Sequence, residues 1–142
     1  METSVKLTSD QLFSLGDEVT VKSPTKNFPL TIIPKNDIDV LQWAKTHKTT
    51  LNQLLLEHGA ILLRGFKIQG AEKFNELFSE VSGNAMEYKN RTSPRDQVYS
   101  NVYTSTSHPK DQVIHMHTEN SYSDTYNCII SFYCLVPAPV GG

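Results

Sequence analysis

Val113-Ile114-His115-Met116-His117-Thr118-Glu119-Asn120-Ser121 is the stretch of this sequence whose residue types and spacing suit it best for chemistry. On a β-strand, residues two apart share a face, so His115, His117 and Glu119 would look the same way. Two imidazoles and one carboxylate are the ligand set of a mononuclear non-haem Fe(II) site with open positions. A regular strand does not bring all three to one metal. At about 3.3 Å per residue the outer two stand roughly 13 Å apart, whereas a metal–ligand bond is about 2.1 Å. Neighbours on the face, about 6.6 Å apart, can converge. Two pairs remain open. His115 with His117 brings no anion to balance a divalent ion. His117 with Glu119 brings one, and needs a second imidazole from elsewhere. The plainer alternative is one ligand or core histidine with hydrogen-bonded bystanders, because bare His-x-Glu tripeptides are common.

Other residues bear on a site. Arg91 and Arg95 flank a Ser-Pro turn and contact either substrate or solvent. Tyr99, Asn101 and Tyr103 alternate along a β-type stretch, so they line a cavity or form ordinary core. Asn120 and Ser121 can orient Glu119 as hydrogen-bond donors, or serve as turn residues. Arg64 reads as a strand-end arginine paired with a surface carboxylate. Trp43 and the helix around Phe74 read as core.

The elements that must position these residues are legible as periodicities. Residues 1–29 are polar and broken by Gly16, Pro24 and Pro29, a lead-in with one short strand at Val19 to Val21. Leu30 to Ile33 is a strand ended by Pro34. Asn36 is placed to cap a helix, with Asp37 and Asp39 in its first turn and Ile38, Leu41 and Ala44 facing inward. A second helix starts at Thr50, where Thr50-Leu51-Asn52-Gln53 fits a capping box. It buries Leu51, Leu54 and Leu55 and stops at Gly59. Ala60 to Phe66 reads as a buried strand. Phe74, Leu77, Phe78 and Val81 then mark an amphipathic helix stopped by Gly83. Beyond it, Met86 to Asn90, Val98 to Thr106, Val113 to Glu119 and Cys128 to Val136 are β-type. The fold class expected is α+β and mainly β, with helices outside a β-sandwich or barrel.

Composition narrows the function. The chain has 142 residues and a formal charge of −2, so it has no basic excess for a nucleic-acid backbone. No apolar run approaches the roughly 20 residues that span a bilayer. The opening METSVKLTSD has no apolar core of a secretory signal. A cytoplasmic location is the expectation, and the acceptor pattern Asn90-Arg91-Thr92 is discounted with it. Cys128 and Cys134, if on one strand, stand about 20 Å apart, beyond disulfide reach.

Several motifs occur in the order found in one enzyme family. Gly59-Ala60-Ile61-Leu62-Leu63-Arg64-Gly65-Phe66 is followed by a helix rich in Phe and Leu, then His117-Thr118-Glu119, then a hydrophobic strand ending in Pro137-Ala138-Pro139-Val140-Gly141-Gly142. From about residue 30 to 142 the chain resembles the amino-terminal half of the TauD/TfdA-like Fe(II)/2-oxoglutarate-dependent dioxygenases. Glu119 in place of Asp, with Asn120-Ser121-Tyr122 after it, is similar to the clavaminate synthase and SyrP-like branch. Asn90-Arg91-Thr92-Ser93-Pro94-Arg95 and Asn101-Val102-Tyr103-Thr104-Ser105-Thr106 resemble that branch as well.

The resemblance implies a partial double-stranded β-helix (jelly roll) over residues 30–142, with flanking helices and Fe(II) in its mouth. His117 and Glu119 match two of three iron ligands, which makes His115 a neighbour. Arg91 and Arg95 would lie near the substrate mouth. The cosubstrate implied is 2-oxoglutarate, the partners are O2 and a small amino-acid-derived substrate, and antibiotic biosynthesis is the branch's association. The distal histidine and the arginine that holds 2-oxoglutarate come late in the family's order. Neither is matched here, since His47, His58 and His108 come too early. The expectation is an incomplete fragment, inactive alone, that self-associates through exposed strand edges. Two alternatives stand beside it: a non-catalytic truncated module that binds a ligand or partner, and a cupin-like metalloprotein using His115 and His117.

Overall fold

Leu30 and Ile32 are fully buried while the residues that follow each, Thr31 and Ile33, are half-buried, the period-two burial of a strand with one face on a core. The computed structural model describes residues 15–22, 29–83, 85, 95–105, 109, 111–118, 121, 124–137, 139 and 140. Strand β1 (Val19–Lys22) pairs antiparallel with β2 (Leu30–Pro34), Val21 opposite Ile32. Strand β3 (Ile61–Leu63) pairs parallel with the other edge of β2, Leu30 opposite Ile61. Parallel neighbours need a crossover. Helices α1 (Val40–Thr46) and α2 (Lys48–His58) supply it.

The cap of α1 is Asp39 rather than Asn36. Asp39 is extended (φ −70°, ψ 103°), and its Oδ1 accepts from the N–H groups of Leu41 and Gln42 at 3.0 and 3.2 Å. A cap must sit where helical dihedrals begin, and Asn36 comes too early. The helix buries Val40, Trp43 and Ala44, with Ile38 and Leu41 packed at the margin. Helix α2 begins at Lys48, so the Thr50 capping box does not form. Its first backbone bond already runs from Leu51 N–H to His47 O, 2.9 Å, which places Thr50 inside the helix. Leu51 and Leu54 are buried, and Gly59 ends the helix at φ 74°. In that left-handed conformation its N–H reaches Leu55 O, and a Cβ would be penalised.

The strand expected over Ala60 to Phe66 is shorter and less buried than its hydrophobicity implies. It spans only Ile61–Leu63, forms a sheet edge, and leaves Leu62 39% exposed. Gly65 at φ 82° turns the chain away after Arg64 N–H has bonded Ile32 O. Helix α3 (Gly70–Ser82) packs on α1 and α2 through buried Leu77. Asn52 on α2 donates to Val81 O in the last turn of α3 at 3.0 Å. It thereby satisfies one of the carbonyls that a helix end leaves open.

Part of the stretch read as a lead-in joins this core. Leu15 and Val19 are buried, and the Trp43 indole N–H donates to Leu15 O at 3.2 Å. Strands β4 (Gln97–Tyr99) and β5 (Val102–Tyr103) form a separate hairpin, β4 lying against α3. Its turn holds Ser100 at φ 47°.

The β-type stretches that follow do not form strands among the described residues. Residues 113–118 and 128–136 are irregular, with Met116 wholly exposed and Phe132 76% exposed. Alternating side chains mark the two faces of a would-be strand, but a strand exists only through the ladder bonds of a neighbour. Here neither stretch meets one. Met86 to Asn90 lies outside the described residues. The architecture is mixed α+β, with one three-stranded sheet, one hairpin and three helices among the described residues. No jelly roll is resolved.

Candidate functional site

The face of α3 that carries Phe74 and Phe78 turns away from the three-stranded sheet, and two later pieces of chain lie over it. The hairpin is held by Tyr99, whose hydroxyl donates to Glu72 Oε1 on α3 at 3.2 Å. Residues 127–133 are held by Tyr133, whose ring stacks on Phe74 at 5.5 Å and whose hydroxyl donates to Ile68 O at 2.6 Å. Between them runs a groove of about 470 Å3. Its size falls in the range of small-ligand sites, about 300–1,000 Å3.

Three of the residues singled out from the sequence meet in this groove: Arg95, Asn101 and Tyr103 all line it. Each is half-buried. The amide of Asn101 donates to Ala85 O at 2.8 Å, which ties the hairpin turn to the chain just after α3. Asn101 therefore shapes the groove as well as facing it. Tyr99 is spent on Glu72. The carboxylate beside it holds the phenol above its ordinary range, because ionising it would break the hydrogen bond and set two anions together. Ser121 is an exposed turn residue and does not line the groove. Arg91 and Asn120 lie outside the described residues.

His115 and His117 are both exposed, on irregular backbone. Nδ1 of His117 lies 2.8 Å from the carbonyl oxygen of His115. A carbonyl only accepts, so a hydrogen bond here needs the proton on Nδ1, and a neutral ring with that proton carries its lone pair on Nε2. Metal-ligating histidines characteristically hold their second ring nitrogen in this way. The donor chemistry of His117 thus fits an iron ligand, and His115 contributes through its backbone. Glu119 lies outside the described residues. Among the described residues no three His, Cys, Asp or Glu side chains gather for a metal ion.

Three contributors escape sequence reading. Phe74 and Phe78 carry the helical period of core residues, yet they also floor the groove. Tyr133 has no local signal, because its partners, Ile68 and Phe74, are far away in sequence. Cys128 and Cys134 are free, exposed thiols. No helix among the described residues is long and apolar enough to cross a membrane.

Comparison with known proteins relates the chain to a family of dioxygenases. Residues 25–142 match the family described as "Taurine catabolism dioxygenase TauD, TfdA family". The chain belongs to that dioxygenase family. It is 34% identical over 101 residues to a clavaminate synthase-like protein of Arabidopsis thaliana, covering 71% of this chain and 31% of that protein. It is also 34% identical over 92 residues to the dapdiamide synthesis protein DdaC of Enterobacter agglomerans, covering 65% of this chain and 28% of that protein. The matched stretch therefore spans about three-tenths of each relative's length.

Proposed function

We propose that this chain supplies part of an Fe(II)/2-oxoglutarate-dependent dioxygenase that oxidises a small, amino-acid-derived molecule. The observation that carries the reading is the His117 ring, its Nδ1 2.8 Å from the His115 carbonyl oxygen, inside a family match that runs from residue 25 to 142. His117 and Glu119 hold the iron, and the remaining positions are filled from residues this chain does not match. Bound Fe(II) with 2-oxoglutarate supplies the power to oxidise an unreactive bond of the substrate with O2. The chain's own residues do the rest. Arg95, Asn101 and Tyr103 receive the substrate in the groove, with Arg91, Asn120 and Ser121 as further contacts. Phe74 and Phe78 exclude water beneath it. The jelly roll belongs to this proposal: residues 113–119 and 128–136 become strands when ladder partners are present. The wider reading includes a cytoplasmic setting and a role in antibiotic biosynthesis.

The test is anaerobic titration with Fe(II), with and without 2-oxoglutarate, following the metal-to-ligand charge-transfer absorption of the chelate. A saturable band lost in Glu119→Ala and His117→Ala supports the reading. The absence of any band, in this chain and in a chain continued past Gly142, removes it.

A second reading is a module that binds a ligand or partner without turnover. It is favoured by the span of the match, about three-tenths of each relative's length. Succinate formed from 2-oxoglutarate by this chain would exclude it.

A further inference from the structure

Residues 127–136 make no backbone–backbone hydrogen bond to another described residue. Tyr133 fixes the stretch to the start of α3, while Ile130, Phe132, Leu135 and Val136 are exposed. Its composition is that of a strand, β-branched and aromatic with no Gly or Pro from Cys128 to Val136. It also lacks the charges with which natural sheet edges are kept from pairing, since no Asp, Glu, Lys or Arg occurs from Thr125 to Gly142. An exposed, uncharged, strand-forming segment anchored to a folded body is a template for another strand.

The occupant follows from charge and from the symmetry of the segment. A charged partner finds no opposite charge along it. Two copies of it can lie side by side without setting like charges opposite one another, which is destabilising in a ladder. Pairing about a two-fold axis is self-complementary, so each contact occurs twice. With an antiparallel axis at Ser131, Ile130 meets Phe132 of the other copy, Ile129 meets Tyr133, and Cys128 meets Cys134. The first two are aliphatic–aromatic pairs of the kind that stabilise a ladder.

We infer that residues 128–134 form an antiparallel interface between two copies of this chain, with the two-fold axis at Ser131. The inference deepens the proposed function at one point, by naming the ladder partner that turns this stretch into a strand, and it rests on that reading for nothing else.

The experiment is sedimentation velocity of the full chain, reduced and without iron, over a range of concentrations. A reversible monomer–dimer equilibrium is expected. Phe132→Lys should raise the dissociation constant about tenfold or more, because an ammonium group then lies against apolar neighbours on each side of the axis. Adding Ile130→Glu to Phe132→Lys sets opposite charges across the axis and should recover part of the loss. The thiols, both free and exposed, report the register. Residues opposite one another in an antiparallel ladder stand about 4.5–5.5 Å apart at Cα, within disulfide range. Diamide takes up the two hydrogens of a thiol pair and leaves a disulfide. Cys128→Ser and Cys134→Ser chains should each fail to cross-link alone, and a mixture of the two should cross-link. A monomer at every concentration, an open series of oligomers, or cross-linking by either cysteine variant alone would each overturn the inference. So would association that survives Phe132→Lys and is lost in Leu62→Lys, which would move the interface to the edge of β3. Circular dichroism of each variant checks that the fold persists. The two readings fail separately: a dimer without an iron band defeats the dioxygenase reading alone, and an iron band from a monomer defeats only the interface.

Discussion

The hydroxyl of Tyr133 donates to the backbone carbonyl of Ile68 at 2.6 Å, joining residues 65 positions apart. Its ring meanwhile stacks on Phe74 with an interplanar angle of 22°. Ile129 and Tyr133 are the half-buried residues in a described stretch, 124–137, that is otherwise exposed. This one side chain therefore pins the wall of the groove to the start of α3.

Separate variants divide the two halves of that contact. Tyr133→Phe keeps the stack and removes the hydrogen bond, and should cost about 1 kcal/mol in urea denaturation. Tyr133→Ala removes both, and should cost more and free residues 127–132 to exchange their amide hydrogens. Equal costs for the two variants would show that the ring contributes nothing.

Asn52 bridges two helices by donating to Lys48 O and to Val81 O, both at 3.0 Å. Asn52→Ala should destabilise the helical layer by about 1–2 kcal/mol, because it leaves a partly buried helix-end carbonyl open. Urea denaturation followed by the Trp43 fluorescence on neighbouring α1 reads the effect. An unchanged midpoint would mean that water replaces the amide.

The Tyr99–Glu72 bond predicts an alkaline transition at the hairpin. The phenol is held above its ordinary range first by donating to Glu72 and then by the repulsion its ionised form would meet. For a group whose folded value is raised, the stabilisation is complete below the ordinary phenol range and disappears as pH rises through the elevated value. The hairpin should therefore stay docked through neutral pH and release above about pH 10. Ultraviolet titration should show one phenol ionising late, and Glu72→Gln should return it to the ordinary range. A Tyr99 signal titrating with the others would remove the contact.

The two histidines should behave differently towards iron. His117 is the proposed iron ligand, whereas His115 meets His117 through its backbone carbonyl. His117→Ala should abolish the charge-transfer band, and His115→Ala should leave iron affinity within about a factor of two, since a substitution there keeps the carbonyl. The reverse pattern would favour a cupin-like site built on His115.

Local chemistry was enough to place much of the first half from the sequence. Gly59 ends α2 because its left-handed conformation admits no Cβ cheaply. The period of Phe74, Leu77, Phe78 and Val81 marks α3, and Pro34 closes β2. The order of motifs from Gly59 to Gly142 was equally legible and pointed to the family that residues 25–142 match. These signals act within a few residues, or are carried by residue identity alone.

Tertiary structure decided what depends on distant partners. Asp39 and not Asn36 caps α1, because the packing of Val40, Trp43 and Ala44 sets where the helix starts. Leu62 is exposed because β3 has a neighbour on one side only. The alternation through His115 and His117 could not create a strand, since alternation chooses a face whereas the ladder needs a second edge. Arg95, Asn101 and Tyr103 share a groove because Tyr99 and Tyr133 hook two separate segments onto α3. Such convergence arises from contacts across the fold, and no spacing within one segment encodes it.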